Sequence, residues 1–331
     1  MEKVIAVVVT YNRQALLADC LTALRNQTRP LDAILVVNNG STDHTASWLL
    51  SQKDCTVINQ ENTGSAGGFS TGIQWAYANG YTWTWCMDDD GYPKPDALEN
   101  LLKAEDGTLR LLNCAVLDIN DKKSMVWKTK DFTTGESIKD KIVDEVAHPF
   151  NGTLIHRNII ERVGVPSAKY FLWGDETEYL YRIISKNNIP ARTVGNAIHY
   201  HPATRFSIKQ DWDHFTAWKM YFYVRNRLPV LQAKANNRFL GICSYACFLV
   251  AFAGIILFFQ KTDKLRKLKF MFWPAFHALE QNYSATPVLV LQQLNKTTSS
   301  LKDNTDAGIQ QVNEGINRLF SFNHKRKAAG F

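Results

Sequence analysis

The amino-acid sequence predicts a doubly wound α/β fold with a mostly parallel sheet, followed by a helical C-terminal region. Short β-branched runs alternate with segments of helical spacing through the N-terminal part of the chain. The first run, residues 3–9, is apolar after Lys3, as expected for an interior strand that is buried on both faces. Each run ends in polar, turn-forming residues, and ligands of such sheets bind beyond the strand C-termini. Residues 239–259 contain no charged side chain, which predicts a long apolar helix.

The individual elements follow from the same periodicities. Apolar or β-branched runs predict strands at residues 3–9, 33–37, 56–58, 83–87, 109–117, 124–127, 150–155 and 191–198. Apolar residues at helical spacing predict helices at residues 16–24, 45–50, 72–77, 97–102, 175–184 and 217–227. Residues 128–145 are charged and loop-rich, so we interpret them as a mobile surface hairpin, with a cover over an acceptor site as the alternative.

The formal charge of the chain, +7 in total, is unevenly distributed. Residues 206–331 contain 17 Lys and Arg against 7 Asp and Glu, which leaves the N-terminal part acidic overall. A basic C-terminal part favours an anionic membrane surface as a partner. We expect no nucleic acid as a partner, because the sequence has no basic recognition helix and no RNA-binding aromatic signature.

The cysteines and the N-terminus bear on the compartment. The 6 cysteines have no CxxC spacing, and we expect reduced, packed thiols. The sequence begins directly with a strand-like run, and we expect no signal peptide. Both expectations favour a catalytic part in the cytosol.

Three consecutive carboxylates, Asp88, Asp89 and Asp90, follow the aromatic strand-like run at residues 83–87. Like charges repel one another, so folding gains by gathering them only when a cation or a proton is their partner. Alternate residues on an extended segment point the same way, which places Asp88 and Asp90 to share one metal ion while Asp89 faces elsewhere. Oxygen ligands suit Mg²⁺ or Mn²⁺, and such ions usually hold a diphosphate as well. The alternative is a solvated acidic turn before Pro93.

Polar segments also follow the first three predicted strands. They are Thr10-Tyr11-Asn12-Arg13, Asn38-Asn39, and a glycine-rich segment with Gly64, Gly67 and Gly68. A glycine-rich loop that opens a helix can bind phosphate through free backbone N–H groups, although these glycines do not match the Walker or dinucleotide spacings. Each segment alone is also explained as a turn or a helix start. Together with the three carboxylates they meet at one edge of the sheet and predict a single ligand site.

The four segments resemble the signatures of glycosyltransferase family 2. The matching stretches are residues 8–13, 36–43, 62–69 and 87–90. The resemblance extends over residues 3–230 and implies the GT-A fold, a Rossmann-like, mostly parallel sheet that binds a nucleotide diphospho-sugar. It also implies that the enzyme inverts the anomeric centre of the transferred sugar. It implies Mn²⁺ or Mg²⁺ as cofactor and a donor site formed by the polar strand ends, namely Thr10, Tyr11, Asn12, Arg13, Asn38, Asn39, Gly64, Gly67, Gly68, Asp88 and Asp89. Many relatives have, in place of Asn38, an Asp that hydrogen-bonds the uracil of the donor. The identity of the nucleotide base is therefore less certain for this sequence.

Three further stretches are similar to particular branches of the family. The Gly67-Gly68-Phe69 run and the triple Asp resemble galactofuranosyltransferases and rhamnosyltransferases, and a Tyr-x-x-x-Arg-Asn sequence at residues 221–226 recurs in the same branches. The resemblance therefore implies UDP-galactofuranose as the leading donor and dTDP-rhamnose as the alternative.

A second acidic pair, Asp175 and Glu176, follows the apolar run at residues 171–173 and opens a predicted helix. A helix N-terminus stabilises carboxylates by roughly 0.3–1 kcal/mol, so a structural role also explains the pair. An apolar run that holds acids rigidly suits a general base beside a sugar. In the family the later of two adjacent acids deprotonates the acceptor, which the resemblance assigns to Glu176, with Asp175 as the alternative. Trp173 is either a stacking surface for the acceptor sugar or a core residue.

Two histidines, His199 and His201, come directly after the last predicted strand, with the spacing that points both imidazoles the same way. A lone pair of histidines is more often structural. In the family, a histidine after the base helix completes the metal site with one Asp of the triad, and the resemblance favours His201 over His199. Arg205 lies in a segment, residues 204–207, that we expect to form a lid with Arg205 on the diphosphate.

The C-terminal part has the composition of a membrane-associated region. Residues 239–259 are long enough to span a bilayer, and a helix in or beneath the membrane plane is the alternative. Basic and aromatic residues follow at 261–273, as suits an anionic headgroup layer. A buried core helix with a solvated charge run is the non-membrane interpretation.

The last residues form a separate polar tail. From residue 292 the apolar side chains fall near heptad spacing, which favours a tail helix or short coiled coil and is compatible with a homo-oligomer through it. The basic residues 324–327 are expected to contact lipid.

The predicted domains are a GT-A catalytic domain at residues 1–210, a helical membrane-associating region at 211–290, and the tail helix and basic terminus at 291–331. The sequence favours a metal-dependent inverting glycosyltransferase, peripheral or monotopic on the cytoplasmic face of the cell membrane, that transfers a sugar to a lipid-linked cell-surface polysaccharide. A nucleotidyltransferase also builds acids around Mg²⁺ but would require an N-terminal glycine-rich loop with a basic residue. A non-catalytic membrane scaffold does not explain two acid clusters.

Overall fold

The computed structural model describes residues 2–148, 150–203, 208–212 and 214–296. Arg205 and the rest of the predicted lid lie outside these residues, as does the tail beyond residue 296 with its basic end. The predictions made for those segments stay predictions.

The N-terminal part alternates strands and helices as predicted. Its elements are β1 (Val4–Thr10), α1 (Gln14–Arg25), β2 (Ala33–Asn38), α2 (Thr45–Leu49), β3 (Cys55–Asn59), α3 (Gly64–Ala78) and β4 (Trp83–Asp88). The four strands lie in the order β3-β2-β1-β4, and all three pairings between them are parallel. Helix α3 begins at Gly64, so the glycine-rich segment is the first turn of this helix, where the sequence predicted a loop.

The remaining elements complete the sheet. They are β5 (Tyr92–Pro93), α4 (Ala97–Lys103), β6 (Leu111–Asp118), β7 (Ser124–Thr129), β8 (Phe132–Thr134), α5 (Gly135–Ile138), β9 (Ile142–Asp144), β10 (Thr153–His156), α6 (Arg157–Val163), α7 (Asp175–Tyr181) and β11 (Ala191–His201). A 3₁₀ turn at Ala168–Tyr170 precedes α7, and a π-helical turn at Arg182–Lys186 follows it.

The second part of the sheet is mixed. Strand β10 inserts antiparallel between β4 and β6, and β11 then runs parallel to β6. The short strands β5 and β9 both pair antiparallel with β11. Among the described strands, four pairs are parallel and six are antiparallel, although the four parallel pairs are the longest. The α/β fold is confirmed, and its sheet is mixed where the sequence predicted a mostly parallel one. Strand β11 extends through both histidines, which the sequence placed beyond its end.

The core lies on both faces of the sheet, because the central strand is buried on both sides. All seven residues of β1 are buried. Val4, Ala6 and Val8 pack on one face with apolar residues of α1 and α4. Ile5, Val7 and Val9 pack on the other face with apolar residues of α3 and α6. Burying a Val or Ile side chain contributes roughly 1.5–3 kcal/mol, so this strand anchors both layers.

Residues 128–145 are more ordered than the sequence predicted. Strands β7 and β8 do form a hairpin, but the chain then continues through α5 and returns to the sheet as β9. Ile138, at the end of α5, is fully buried in a small apolar cluster with Ala115 and Leu117 of β6. The predicted hairpin is present and most of the segment is exposed, but its loop-rich character is wrong, because Ile138 and Val143 pack against the sheet.

The chain divides into two compact units, residues 1–205 with 229–241, and residues 206–228 with 242–331. The C-terminal helices are α8 (His214–Ala235), α9 (Arg238–Phe259), α10 (Lys264–Leu279) and α11 (Pro287–Lys296). In the second unit the ring of Tyr221 packs on Trp273, and its hydroxyl contacts Nδ1 of His277. The boundaries between the three predicted domains stay predictions.

One helix in the described part of the chain, α9, is long and apolar enough to cross a membrane by its length and composition. Only 17% of its most apolar stretch is buried within the protein. This exposure argues against the alternative of a buried core helix.

Candidate active site

The site is assembled where several strands end. In the register of the sheet, Thr10 at the end of β1 pairs with Asn38 at the end of β2, and Val9 pairs with Asp88 at the end of β4. His201 ends β11. The polar residues that follow buried strands are thus brought to one edge of the sheet, as parallel packing requires.

The middle carboxylate of the acidic run points into the protein. Asp89 is 3% exposed, and its Oδ2 accepts a hydrogen bond of 2.7 Å from the hydroxyl of Thr10. Its Oδ1 lies 3.0 Å from Nη1 of Arg13, and the same nitrogen lies 2.9 Å from Oδ2 of Asp90. Thr10 and Arg13 were predicted to contact a nucleotide. In the structure they contact the carboxylates, and their contact with a nucleotide stays a prediction.

The outer carboxylates converge on a histidine. One ligand atom each from Asp88, Asp90 and His201 lie within 4.8 Å of one another. Nε2 of His201 is 3.3 Å from Oδ1 of Asp90 and 4.0 Å from Oδ2 of Asp88. Two carboxylate oxygens and one imidazole nitrogen that leave positions open to further ligands are a donor set that suits Mn²⁺ or Mg²⁺. The residues present therefore fit the predicted metal ion.

The protonation of the acidic run reflects this crowding. Burial, followed by the charge of Asp90, raises the pKa of Asp88 to about 7, and burial raises the pKa of Asp89 to about 6 against the effect of Arg13. Burial also opposes ionisation of Asp90, but the hydrogen bond from His201 and the charge of Arg13 hold its pKa below the ordinary value. A bound cation would displace protons from this cluster, because metal ligands must be deprotonated.

The second histidine is separate from this group. His199 is fully buried and is not among the three residues that converge. Its ring packs against Gly91, where a Cβ would clash with the imidazole. Burial, together with the charge of His201, lowers the pKa of His199 to about 3. Of the two predicted histidine ligands, the structure brings only His201 to the carboxylates.

The second acidic pair opens helix α7 after a loop with left-handed backbone. Phe171, Trp173 and Gly174 have φ values of 65°, 56° and 98°. The Asp175 side chain is fully buried, and within the described residues neither of its carboxylate oxygens has a well-formed hydrogen bond. Burial raises the pKa of Asp175 to about 7, and the backbone N–H groups of Asp175 and Glu176 act in the opposite direction.

Glu176 is placed differently from its neighbour. Its side chain is half-buried, where that of Asp175 is enclosed. Burial raises the pKa of Glu176, and the charges of Asp175 and then Asp88 raise it further. The effect of the Asp88 charge on Glu176 indicates that the second acidic motif lies within electrostatic range of the first. The structure thus favours Glu176 over Asp175 as the acid available to a ligand.

Sequence comparisons identify the family. The family model for Glycosyl transferase family 2 matches residues 5–163. Galactofuranosyltransferase GlfT1 of Mycolicibacterium smegmatis is 32% identical over 216 residues, which cover 61% of this chain and 71% of that protein. GlfT1 of Mycobacterium tuberculosis is also 32% identical over 216 residues, which cover 70% of its length. The chain belongs to glycosyltransferase family 2.

Solved structures support the GT-A fold of this glycosyltransferase. The crystal structure of S. aureus TarS 1–349 superposes with a TM-score of 0.55 over 92% of this chain and 94% of that one, at 12% identity. A second crystal structure of TarS 1–349, in complex with UDP, gives a TM-score of 0.54. At this identity the likeness establishes the fold alone, and it confirms the predicted fold class.

The glycines of the glycosyltransferase have a packing role that the sequence did not show. Gly64 has a φ of 72°, and a Cβ there would clash with the carbonyl of Phe171, while a Cβ at Gly67 or Gly68 would clash with the side chain of Thr63 or Val9. In the first turn of α3, the N–H of Gly64 donates to Asn62 Oδ1 and that of Ala66 to the Phe171 carbonyl. The role of these glycines at a phosphate stays a prediction.

The asparagines that follow β1 and β2 link the strand ends to one another. Asn38 is buried and donates to Asn59 Oδ1. Asn39 is buried too. Its Oδ1 accepts hydrogen bonds from the side-chain amide of Gln60 and the backbone N–H of Thr63, and its Nδ2 donates to the carbonyl of Gly64. Asn12 accepts hydrogen bonds from the backbone N–H groups of Thr42 and Asp43. Their amide groups are used within the protein, so their contact with a base stays a prediction, as do the contacts of Tyr11 and Trp173 with substrates.

Two residues at the site were missed by sequence reasoning. Trp127, on β7, has its ring centroid 5.5 Å from that of His201. The ring of His148 stacks on that of Trp127, with the two centroids 5.4 Å apart. The only signal in the sequence was an aromatic residue in the short run at residues 124–127 that predicted a strand, and a surface strand also explains it.

Proposed function

We propose that this glycosyltransferase moves galactofuranose from UDP-galactofuranose, with inversion, onto a lipid-linked cell-surface glycan, assisted by Mn²⁺ or Mg²⁺. The observation that carries the proposal is that the charge of Asp88 raises the pKa of Glu176, which indicates a possible base near the group of Asp88, Asp90 and His201 that could hold a cation. The donor sugar is inferred from the 32% identity to GlfT1 galactofuranosyltransferases. A UDP complex of a protein with the same fold is compatible with this donor.

The metal ion would be held by Asp88, Asp90 and His201. When bound, it would stabilise the negative charge that develops on the departing diphosphate. Asp89 would not ligate, because its oxygens are taken by Thr10 and Arg13. Arg13 and Thr10 would instead keep the acidic run in one conformation, which preserves the geometry of its two neighbours. Such preorganisation is what makes charge stabilisation effective in an enzyme site.

Glu176 would act as the general base toward the acceptor. Its carboxylate would take the proton of the acceptor hydroxyl while the hydroxyl oxygen attacks the anomeric carbon. The bond from that carbon to the diphosphate breaks with the electron pair leaving on UDP, so a single displacement inverts the centre. Burial and the charges of Asp175 and Asp88 raise the pKa of Glu176, which makes its carboxylate a stronger base toward the acceptor hydroxyl.

The donor is tested by a panel of nucleotide sugars. We expect acceptor-dependent release of UDP from UDP-galactofuranose, with NMR of the product showing the inverted anomeric centre, and little release from UDP-galactopyranose or GDP-mannose. Release of dTDP from dTDP-rhamnose instead would establish the rhamnosyltransferase alternative. Pyrophosphate from a nucleoside triphosphate and a sugar phosphate would establish a nucleotidyltransferase. No turnover of any donor would favour the scaffold.

We also propose that the helical C-terminal unit holds the enzyme on the cytoplasmic face of the cell membrane. Large apolar side chains of this unit are exposed, among them Val250 at 75%, Phe258 at 82% and Leu265 at 75%. Lys261 and Lys269 are exposed in the same stretch of chain. Exposed apolar area next to basic side chains matches an anionic lipid surface, which accepts both. Such a surface would also bring the enzyme to a lipid-linked acceptor.

Removing the basic charges should weaken this attachment. Lys261, Lys264 and Lys269 changed together to Gln should lower partition onto vesicles with anionic lipid by roughly 100-fold, since each Lys near such a surface contributes about 1 kcal/mol. The measurement is co-sedimentation of the full chain with vesicles. Lys53, Lys139 and Lys186, exposed in the other unit, changed to Gln provide the control with the same net charge. Equal losses in both triple variants, or no binding by the wild type, would contradict the proposal.

A further inference from the structure

A short stack of aromatic rings leads from the β7–β8 hairpin to the carboxylate site. The ring of Trp127 lies against His148, with centroids 5.4 Å apart and planes inclined by 23°. The same indole lies against His201, with centroids 5.5 Å apart and planes inclined by 35°. Aromatic ring pairs at these distances attract each other beyond their buried area. His201 therefore has an aromatic neighbour that limits how its ring can turn.

The other contacts of His201 fix its ring incompletely. Nε2 faces Asp90 at 3.3 Å. Nδ1 is buried and has no well-formed hydrogen bond within the described residues, although a backbone contact at Pro202 contributes to the raised pKa of His201. An imidazole that ligates a metal usually donates its second N–H to a fixed acceptor, which sets the ring orientation. In this protein the indole of Trp127, with its ring centroid 5.5 Å from that of His201, is a further contact that restricts the orientation of the imidazole.

His148, which stacks on Trp127, is itself fixed by hydrogen bonds to the sheet. The backbone N–H of His148 donates to Oδ1 of Asn113 at 2.9 Å, and Asn113 is fully buried on β6. The same Oδ1 accepts a hydrogen bond of 3.1 Å from the hydroxyl of Thr153 on β10. His148 is thus tied to two central strands of the sheet. Its ring stacks on the indole, so His148 restricts the movement of Trp127.

The geometry points to Trp127 as a positioning residue that orients the His201 imidazole toward Asp88 and Asp90, with His148 as its support. This inference rests on the proposed use of a divalent cation at these three residues. Its consequence is that the β7–β8 hairpin controls the affinity of the ion site although it supplies no ligand. Contacts that orient a ligand typically change metal affinity by about 10- to 100-fold.

Binding of Mn²⁺ to the full chain in the presence of UDP, measured by the EPR signal of free Mn²⁺, tests the inference without turnover. Trp127→Leu should weaken Mn²⁺ binding by about 10- to 100-fold. Trp127→Phe keeps a flat ring and should retain most of the affinity. His148→Leu removes only the support and should give a smaller loss in the same direction. Phe132→Leu is the matched control, because Phe132 lies on the same hairpin but packs on the separate cluster around Ile138.

The outcomes separate this inference from the proposed function. Wild-type protein that binds no Mn²⁺ with UDP would overturn the proposed cation site and the inference with it. Mn²⁺ binding that is equal in wild type, Trp127→Leu and His148→Leu would overturn the inference alone. An equal loss in Phe132→Leu would reduce the effect to hairpin stability and overturn it too. If Trp127→Leu does not fold, as judged by circular dichroism, the comparison of Trp127→Phe and His148→Leu with Phe132→Leu decides.

Discussion

Asp90→Ala is expected to abolish sugar transfer and the part of UDP binding that depends on a divalent ion. Asp90 is the carboxylate that contacts both His201 and Arg13, at 3.3 and 2.9 Å. Its pKa is held below the ordinary value, so it is ionised at neutral pH, whereas burial keeps the pKa of Asp88 near 7. Removing Asp90 therefore removes the one outer carboxylate that is fully charged before an ion binds. Calorimetry of UDP binding with and without Mn²⁺, beside a transfer assay, measures both effects.

The control for this variant is Asp96→Ala. Asp96 is an exposed carboxylate a few residues farther along the chain, and it makes no side-chain cap of α4. We expect this variant to retain transfer and UDP binding. EDTA should silence the wild type and leave metal-free UDP binding unchanged. Full activity of the wild type in EDTA would refute the role of a metal ion.

Glu176→Gln is expected to lower turnover by ~10²–10⁴, the usual contribution of general base catalysis, while binding of UDP with Mn²⁺ stays nearly unchanged. Gln keeps the shape and most hydrogen bonds of Glu but cannot take a proton. In the wild type, turnover should rise with pH through the raised pKa of Glu176, because only the ionised form accepts a proton. The variant should lose this rise. A pH series of turnover, with UDP binding measured in parallel, checks the prediction.

Asp175→Asn is the informative comparison. If Asp175 only supports its neighbour, the effect of this variant on turnover should be mild. Its effect on stability has a defined sign. The pKa of Asp175 is about 7 in the folded protein against about 3.9 unfolded, so ionisation destabilises the fold progressively as pH rises between these values. Asn cannot ionise. The unfolding temperature of the variant minus that of the wild type should therefore increase between pH 4 and pH 8.

The same measurements show whether Asp175, and not Glu176, is the general base. Near-normal turnover of Glu176→Gln together with a dead Asp175→Asn would make Asp175 the base. Near-normal turnover of both variants would reduce the second acidic motif to the start of a helix and place the base elsewhere.

The sequence predicted those parts of the site that depend on strand periodicity. Asp88 and Asp90 were expected on one side of an extended segment with Asp89 on the other, and the structure shows Asp89 turned inward. The interior strands were also predictable, because runs such as residues 4–10 are buried on both faces. His201 was predicted to be a metal ligand from the family resemblance alone, because the spacing of two histidines on a strand does not show that they lie near Asp88 and Asp90.

The remainder depends on contacts between distant segments, which local patterns do not encode. The clash of a Cβ at Gly64 with Phe171 requires the position of the loop before α7. The antiparallel insertion of β10 between β4 and β6 leaves no mark in its short apolar run. The contact between Trp127 and His201 joins a hairpin that looked uninformative to the end of the last strand. Each of these features is fixed by tertiary packing and not by residue propensity.

The placement of His201 on the last strand also governs the order in which the protein folds. The ion site is complete only after β11 has paired with β6, and contacts so far apart in the chain form slowly because a long loop must close first. A nascent chain that ends before Glu176 and His201 would already contain the crowded carboxylates, with Arg13 as their counter-charge. During synthesis, Arg13 would therefore keep the acidic strand end compatible with folding until the histidine and the base arrive.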